Sequence, residues 1–376
     1  RREELPPRQL EEMRRLATAM TFMRSRLMRL TAMSAAMALT AGAFAGSAVL
    51  AQDEELDGTG VDIEPVLKEN INPFWGWMID GATARANELG AELNACWGVN
   101  DPDPEGQTVC IENAISRGAT TILIAPANAG VTPAVELARE NGLMVIALDT
   151  ATDPADAVDV TFATDNYEAG LLIGQWAAAK MGDAAEDAVI GMINIDPSQP
   201  VVGVKRNQGF LEGFGIDNND NTTYMDETDP RIVGQEFSNG NQEGGVTAME
   251  LLLQANPDIN LVYTLNEPTA AGAMQALEAA GKTTDEIMMV SVDGGCAGVA
   301  DVRDGIIDAT SMQFPSLMAS LGVEAAIRYA QDGTIPEPSE GLDIFNTGVQ
   351  LITDDPQEGV PSITSAEGLE ICWGSE

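Results

Sequence analysis

NINPFWGWMIDGATARANELG, residues 70–90, follows an extended run, 61–67, and carries the marks of a helix with both ends defined. Asn72 can cap it, Pro73 sits where a missing N–H costs nothing, and Gly90 supplies the left-handed stop. Trp75, Met78, Ala82, Ala86 and Leu89 recur at helical spacing and predict one buried stripe. Phe74 is left outside that stripe. An aromatic beside a capping amide, at the mouth of a strand-to-helix turn, offers a small ligand a flat apolar face and a hydrogen-bonding group. The competing reading makes Phe74 and Trp75 both core.

Outward from this stretch, residues 121–125, 143–148, 188–195, 259–265 and 287–292 are continuous apolar runs of strand length, the form taken by parallel strands buried on both faces. Helical patterns lie between them and stop at Gly90, Gly118, Gly142, Gly182, Gly281 and Gly305. This alternation predicts an α/β fold of doubly wound parallel sheets covered on both faces by helices. The strands are too many for one compact sheet. A change of character at 164–166 divides the chain into two similar lobes, with the first crossing there.

The 376 residues suffice for two domains, each with its own core. There are 59 acidic and 19 basic residues and no histidine. Four of the acids and eight of the bases fall in residues 1–51, so the remainder carries a net charge of −44. That charge argues against nucleic acid as a partner. The acids are spread through every region, which predicts a solvated acidic shell of halophilic type, whose self-repulsion salt must screen. The competing reading is a device for solubility alone. Residues 1–22, basic and polar, are set aside as a non-native extension. Residues 23–51 join Arg24, Arg26 and Arg29 to a small apolar run ending Val49-Leu50-Ala51, the pattern of a secretory signal peptide. No cysteine follows the cleavage point, so the expectation is a monomer free in the periplasm, without a lipid anchor.

The polar residues that follow the strands carry the functional reading. Asn128, Asp149, Asp196, Asn266 and Asp293 stand at carboxyl ends, where open α/β sheets bind their ligands. Each alone reads equally as a helix cap. Together with an aromatic they suit a neutral polyhydroxylated ligand, since carboxylates accept hydroxyl protons and amides both donate and accept. In the loop 217–229, Asp217, Asn219 and Asn221 mimic the start of a calcium loop. Thr222 and Thr228 then stand where such a loop needs glycine and glutamate, so no metal is expected, and no cofactor.

Asn72-Pro73-Phe74-Trp75, Ala147-Leu148-Asp149-Thr150, Phe162-Ala163-Thr164-Asp165-Asn166, Arg206-Asn207-Gln208-Gly209-Phe210, Leu265-Asn266-Glu267 and Val292-Asp293-Gly294-Gly295 occur in one order. Together they resemble the periplasmic sugar-binding proteins of ABC importers, the ribose-binding type with the type I periplasmic-binding-protein fold. The fructose-binding subgroup is the nearest, because its longer phrases Pro197-Ser198-Gln199-Pro200, Asn239-Gly240-Asn241 and Gly294-Gly295-Cys296 also appear. The resemblance runs from about Val61 to Gly374. It implies capture of a monosaccharide between two lobes and delivery to the membrane subunits of an ABC importer.

Residue by residue, the resemblance implies Asn72 as a hydroxyl partner, Phe74 and Trp75 as stacking faces, and Asp149 as the carboxylate gripping two hydroxyls. Arg206 is similar to the family's charged donor to the ring or anomeric oxygen. Asn266, Asp293 and Gln313 match the second lobe's polar set, Gln313 near a hinge. Three crossings are implied, so that 57–164 with 314–345 form the N-terminal lobe and 165–313 with 346–376 the C-terminal lobe, residues 315–333 being a helix returned to the first. Ribose binders carry an asparagine before the proline ending the third strand and an arginine after the aspartate of the fourth. Ala125 and Thr150 stand there instead, which argues against ribose itself. The second-lobe aromatic of the ribose type has no counterpart near Gly240, leaving Asn239 or Asn241 as substitutes.

Three other functions compete. Gly294-Gly295-Cys296-Ala297-Gly298 has the spacing of a nucleophile elbow, which would make a hydrolase with Cys296 as nucleophile. No histidine exists to serve as its base, and no P-loop or dinucleotide pattern occurs, so an enzyme is not expected. A sugar-responsive repressor would need a DNA-reading helix pair ahead of the fold. A sugar carrier for a chemoreceptor stands as the alternative, since docking surfaces leave no short motif. Four cysteines in an exported chain allow three pairings, of which Cys96 with Cys110 and Cys296 with Cys372 are expected.

Overall fold

In the computed structural model, residues 56–100, 103–197, 200–284 and 286–374 are described, and the expected extension and signal peptide lie outside the described residues. The apolar runs become the strands. β1 (Asp62–Leu67), β2 (Glu92–Leu93), β3 (Cys96–Trp97), β4 (Thr121–Ile124), β5 (Met144–Leu148) and β6 (Val160–Ala163) form a parallel sheet in the order β2-β1-β4-β5-β6, with β3 also paired to β1. A second sheet holds β7 (Ile190–Asn194), β8 (Ile232–Phe237), β9 (Leu261–Thr264), β10 (Met288–Asp293) and β11 (Ala309–Met312), again parallel, in the order β8-β7-β9-β10-β11.

The chain then returns to each sheet once. β12 (Phe345–Asn346) joins the first beside β6, and β13 (Gln350–Ile352) joins the second beside β11. β13 runs antiparallel, where the sequence reading has parallel strands only. β13 pairs with β11 but is entered through residues 347–349 from β12 of the other sheet, so it is not the product of a helical crossover within its own sheet.

Helices cover both faces of each sheet. α1 (Pro73–Leu89), α2 (Pro104–Arg117) and α3 (Thr132–Glu140) lie on the first, joined by the later α9 (Pro315–Asp332), which packs on α1, β5 and β6. α4 (Asn166–Met181), α5 (Pro200–Gly213), α6 (Gln242–Ala255), α7 (Glu267–Ala279) and α8 (Cys296–Arg303) belong with the second. The buried apolar side chains accordingly fall into separate clusters on opposite faces of each sheet.

α1 begins and ends as its sequence requires. Asn72 Oδ1 accepts from the Phe74 N–H at 3.0 Å, and Gly90 takes φ 79°. Trp75, Met78, Ala82 and Ala86 are buried as the stripe predicts, but Leu89 is only half-buried and Phe74 is buried with the stripe. The α4–α5 contact is set by glycine: a Cβ on Gly170 would lie 2.0 Å from the Arg206 carbonyl oxygen, and one on Gly209 would lie 2.0 Å from that of Tyr167. No other residue allows the two backbones to meet so closely.

Both expected disulfides form. Cys96–Cys110 ties β3 to α2 with Cα atoms 5.8 Å apart, and Cys296–Cys372 ties α8 to the C-terminal tail at 5.0 Å. The sulfur of Cys296 is therefore bonded rather than a free nucleophile. Trp373, next along the tail, accepts from the Cys296 N–H at 2.8 Å and donates its indole N–H to the Gln313 carbonyl at 3.0 Å. Its ring meets Phe74 of α1 edge-on, with centroids 5.2 Å apart.

Candidate functional site

The carboxyl ends of the strands place the polar residues. Asp149 follows β5 at φ 64°, and Asp293 ends β10 at φ 125°. Positive φ costs a non-glycine residue on the order of 1–3 kcal/mol and clusters where ligands are held. Structure around each turn holds it there. The Asp149 N–H donates to the Phe162 carbonyl at 2.8 Å, and Thr150 Oγ1 donates to Asp149 Oδ2 at 2.8 Å. Beyond Asp293, the N–H groups of Gly294 and Gly295 donate to the Glu267 carboxylate at 2.8 and 3.0 Å, and Thr310 Oγ1 donates to it at 2.9 Å.

The eight residues implied by the resemblance line one cleft of about 350 Å³, Asn72, Phe74, Trp75 and Asp149 beside the first sheet and Arg206, Asn266, Asp293 and Gln313 beside the second, whereas Asn128 and Asp196 are not in its lining. Arg206 donates to Asn166 Oδ1 at 2.7 Å, to the Leu265 carbonyl at 2.8 Å and to Asp293 Oδ1 at 3.3 Å. Gln313 Nε2 donates to the same Asp293 oxygen at 2.8 Å. Asn266 caps α7 through its Oδ1, which accepts from the Thr269 N–H, and donates its amide to the Gly240 carbonyl. The cap and ligand readings of Asn266 are therefore compatible, because an amide has further capacity on both atoms.

Two buried polar atoms of this lining have no hydrogen-bond partner among the described residues: Trp75 Nε1, a donor, and Gln313 Oε1, an acceptor. Phe74 and Trp75 stand edge to face with centroids 4.9 Å apart, giving the cleft an apolar wall. Burial pushes the Asp293 carboxyl up to about 6; the Arg206 guanidinium opposes this and Asp149 adds to it. Burial raises Glu267 well above the usual carboxylate range, with Asp293 adding to the effect.

Sequence reasoning missed three residues. Lys68, 2% exposed, lines the cleft with its Nζ 5.3 Å from the Trp75 ring centroid. It directly follows β1, and the rule that picked out Asp149 would have found it. Asn166 and Glu267 hold Arg206 and the Asp293 turn from behind. With Lys68 counted, the lining carries two cations against two carboxylates, a balance that suits a neutral ligand. Asn239 and Asn241 are exposed and lie outside the cleft lining; Asn241 instead caps α6.

The family described as the periplasmic binding protein domain matches residues 63–334. The chain is 30% identical over 290 residues to a ribose import binding protein of Haemophilus influenzae, covering 77% of this chain and 91% of that protein. It is 29% identical to a D-apiose import binding protein of Actinobacillus succinogenes, covering 74% and 84% respectively. Among solved structures, a galactofuranose binding protein superposes with a TM-score of 0.69 at 22% identity, over 82% of this chain and 97% of that one.

Proposed function

The chain belongs to the periplasmic binding protein family, and on that premise we propose that it captures a monosaccharide in the cleft between its lobes and delivers it to the membrane subunits of an ABC importer. Its place is the periplasm, and its task is binding rather than catalysis. One observation carries the choice of ligand: an orphan donor, Trp75 Nε1, and an orphan acceptor, Gln313 Oε1, are buried in a lining that holds two carboxylates and an aromatic pair. Each orphan costs about 1–3 kcal/mol. Hydroxyl groups, which donate and accept, relieve both, and a sugar ring's C–H face covers the aromatics.

Within that class a fructose-like sugar is the first to try, on the phrases shared with the fructose-binding subgroup and the short side chains of Ala125 and Thr150 where the ribose type has asparagine and arginine. The curated relatives put D-ribose and D-apiose beside it in the panel. The lobe boundaries, the signal peptide at 23–51 and the salt-adapted character of the acidic surface belong to the same reading.

Calorimetric titration of this panel tests the proposal. Asp293 makes charge-assisted bonds worth roughly 1.5–3 kcal/mol each, so Asp293→Ala weakens the best sugar by tenfold or more while the fold survives. Unchanged affinity in that variant would remove the site from the cleft.

A further inference from the structure

A second hollow, of about 610 Å³, lies against the cleft and is lined chiefly by Pro126, Ala127, Ala151, Thr152, Pro197 and Val201. Three segments of chain serve both spaces. Asp149 lines the cleft and Thr150 the hollow; Ile195 and Val202 line the cleft, and Pro197 and Val201 the hollow. The two spaces are thus neighbours along the same three segments. At the first of them, the polar group on the dividing wall is already engaged, because Thr150 Oγ1 donates to Asp149 Oδ2.

Two short side chains stand beside the hollow. Ala125 directly precedes Pro126 of the lining, is fully buried and uses its carbonyl to accept from Gln107 Nε2 at 2.7 Å; Thr150 is the other. Prolines, alanines and a valine form most of its walls.

We infer that the hollow is an annex of the sugar cleft, and that the ligand is a sugar bearing a substituent of about one ring with an apolar face. This rests on the proposed function and extends it. The C–H face of a second sugar and a nonpolar aglycone share the chemistry the walls accept. Asn128 and Asp153 in the same lining offer polar atoms to a second sugar's hydroxyls and nothing equivalent to an aglycone.

The test starts from whichever of D-fructose, D-ribose and D-apiose binds most tightly by calorimetry. It adds that sugar's phenyl derivatives and its disaccharides, each series linked through the anomeric carbon and through the primary hydroxyl. At least one extended ligand is expected to bind as tightly as the free sugar or more tightly. Ala151→Phe, which fills the annex from a half-buried position outside the cleft lining, should then cost that ligand tenfold or more and leave the free sugar unchanged. Ala129→Phe, from an exposed position on another part of the annex wall, repeats the test if the first variant fails to fold. Preference for the disaccharide or for the phenyl derivative distinguishes the two sources. The annex is refuted if every extended ligand binds more weakly than the free sugar, or if filling it changes nothing, while the proposed function stands. Failure of all the sugars, free and extended, overturns both.

Discussion

Asp293 gives the cleft a pH dependence with two opposite signs. Its carboxyl titrates at about 6 when folded, against 3.8 for the ordinary group. Between those values the folded state holds more protons than the unfolded one, so this group's contribution to stability is greatest on the acid side and declines as pH rises through about 6. Sugar hydroxyls donate to the ionised form, so affinity runs the other way and falls as pH drops below about 6. Titrations at about pH 5 and about pH 8 should show the loss at the lower pH. Over that range, melting of the parent relative to Asp293→Asn should favour the parent increasingly toward acid. A flat difference would show that Asp293 stays charged throughout. At this scale the sequence displayed most polar residues of the cleft, since they follow a strand or open a helix; Arg206, in the middle of α5, came only from the resemblance, and Lys68 was passed over although it follows β1. The sequence hid Asn166 and Glu267, because a side chain that holds another in place from behind leaves no spacing of its own.

Two elements carry measurable consequences. On a chain-entropy basis, a loop of 76 residues closed by Cys296–Cys372 stabilises by about 4.5 kcal/mol and one of 14 closed by Cys96–Cys110 by about 3 kcal/mol. Replacing the first pair by serine should lower the denaturation midpoint more than replacing the second, and the reverse order would mean that strain or residual structure dominates. Gly209→Ala forces α5 away from α4, at a cost of about 1–3 kcal/mol for overpacking. Because α5 carries Arg206, it should weaken the sugar as well as lower the melting temperature; a loss of stability with affinity intact would separate the helix contact from the site. β4, β5, β7, β9 and β10 were legible because each falls in a continuous apolar run. β8 and β11 were not. All of β8 is half-buried, and β11 reads Ala-Thr-Ser-Met, its hydroxyls satisfied by the Glu267 carboxylate and the Ala169 carbonyl.

Over the whole molecule, charge and topology act together. With a net −44 outside residues 1–51, like charges repel within a Debye length of about 8 Å at physiological ionic strength. The melting temperature should therefore climb from low to molar sodium chloride, and a curve that does not move would make the acidic surface a solubility device alone. The two-lobed plan was legible from the strand count, whereas the reversal of β13 was not, because the chain reaches it from the other sheet and no run of residues marks the direction of a strand. Trp373 links the scales. Its backbone is pinned to one lobe beside a disulfide, while its ring rests on Phe74 of the other. An indole so placed is an optical gauge of the gap between the lobes: any rotation that separates the two rings changes its surroundings, and with them the colour and yield of its emission. Ligand uptake can thus be followed without an attached dye, and the part of the signal that disappears in Trp373→Phe is the part that reports closure.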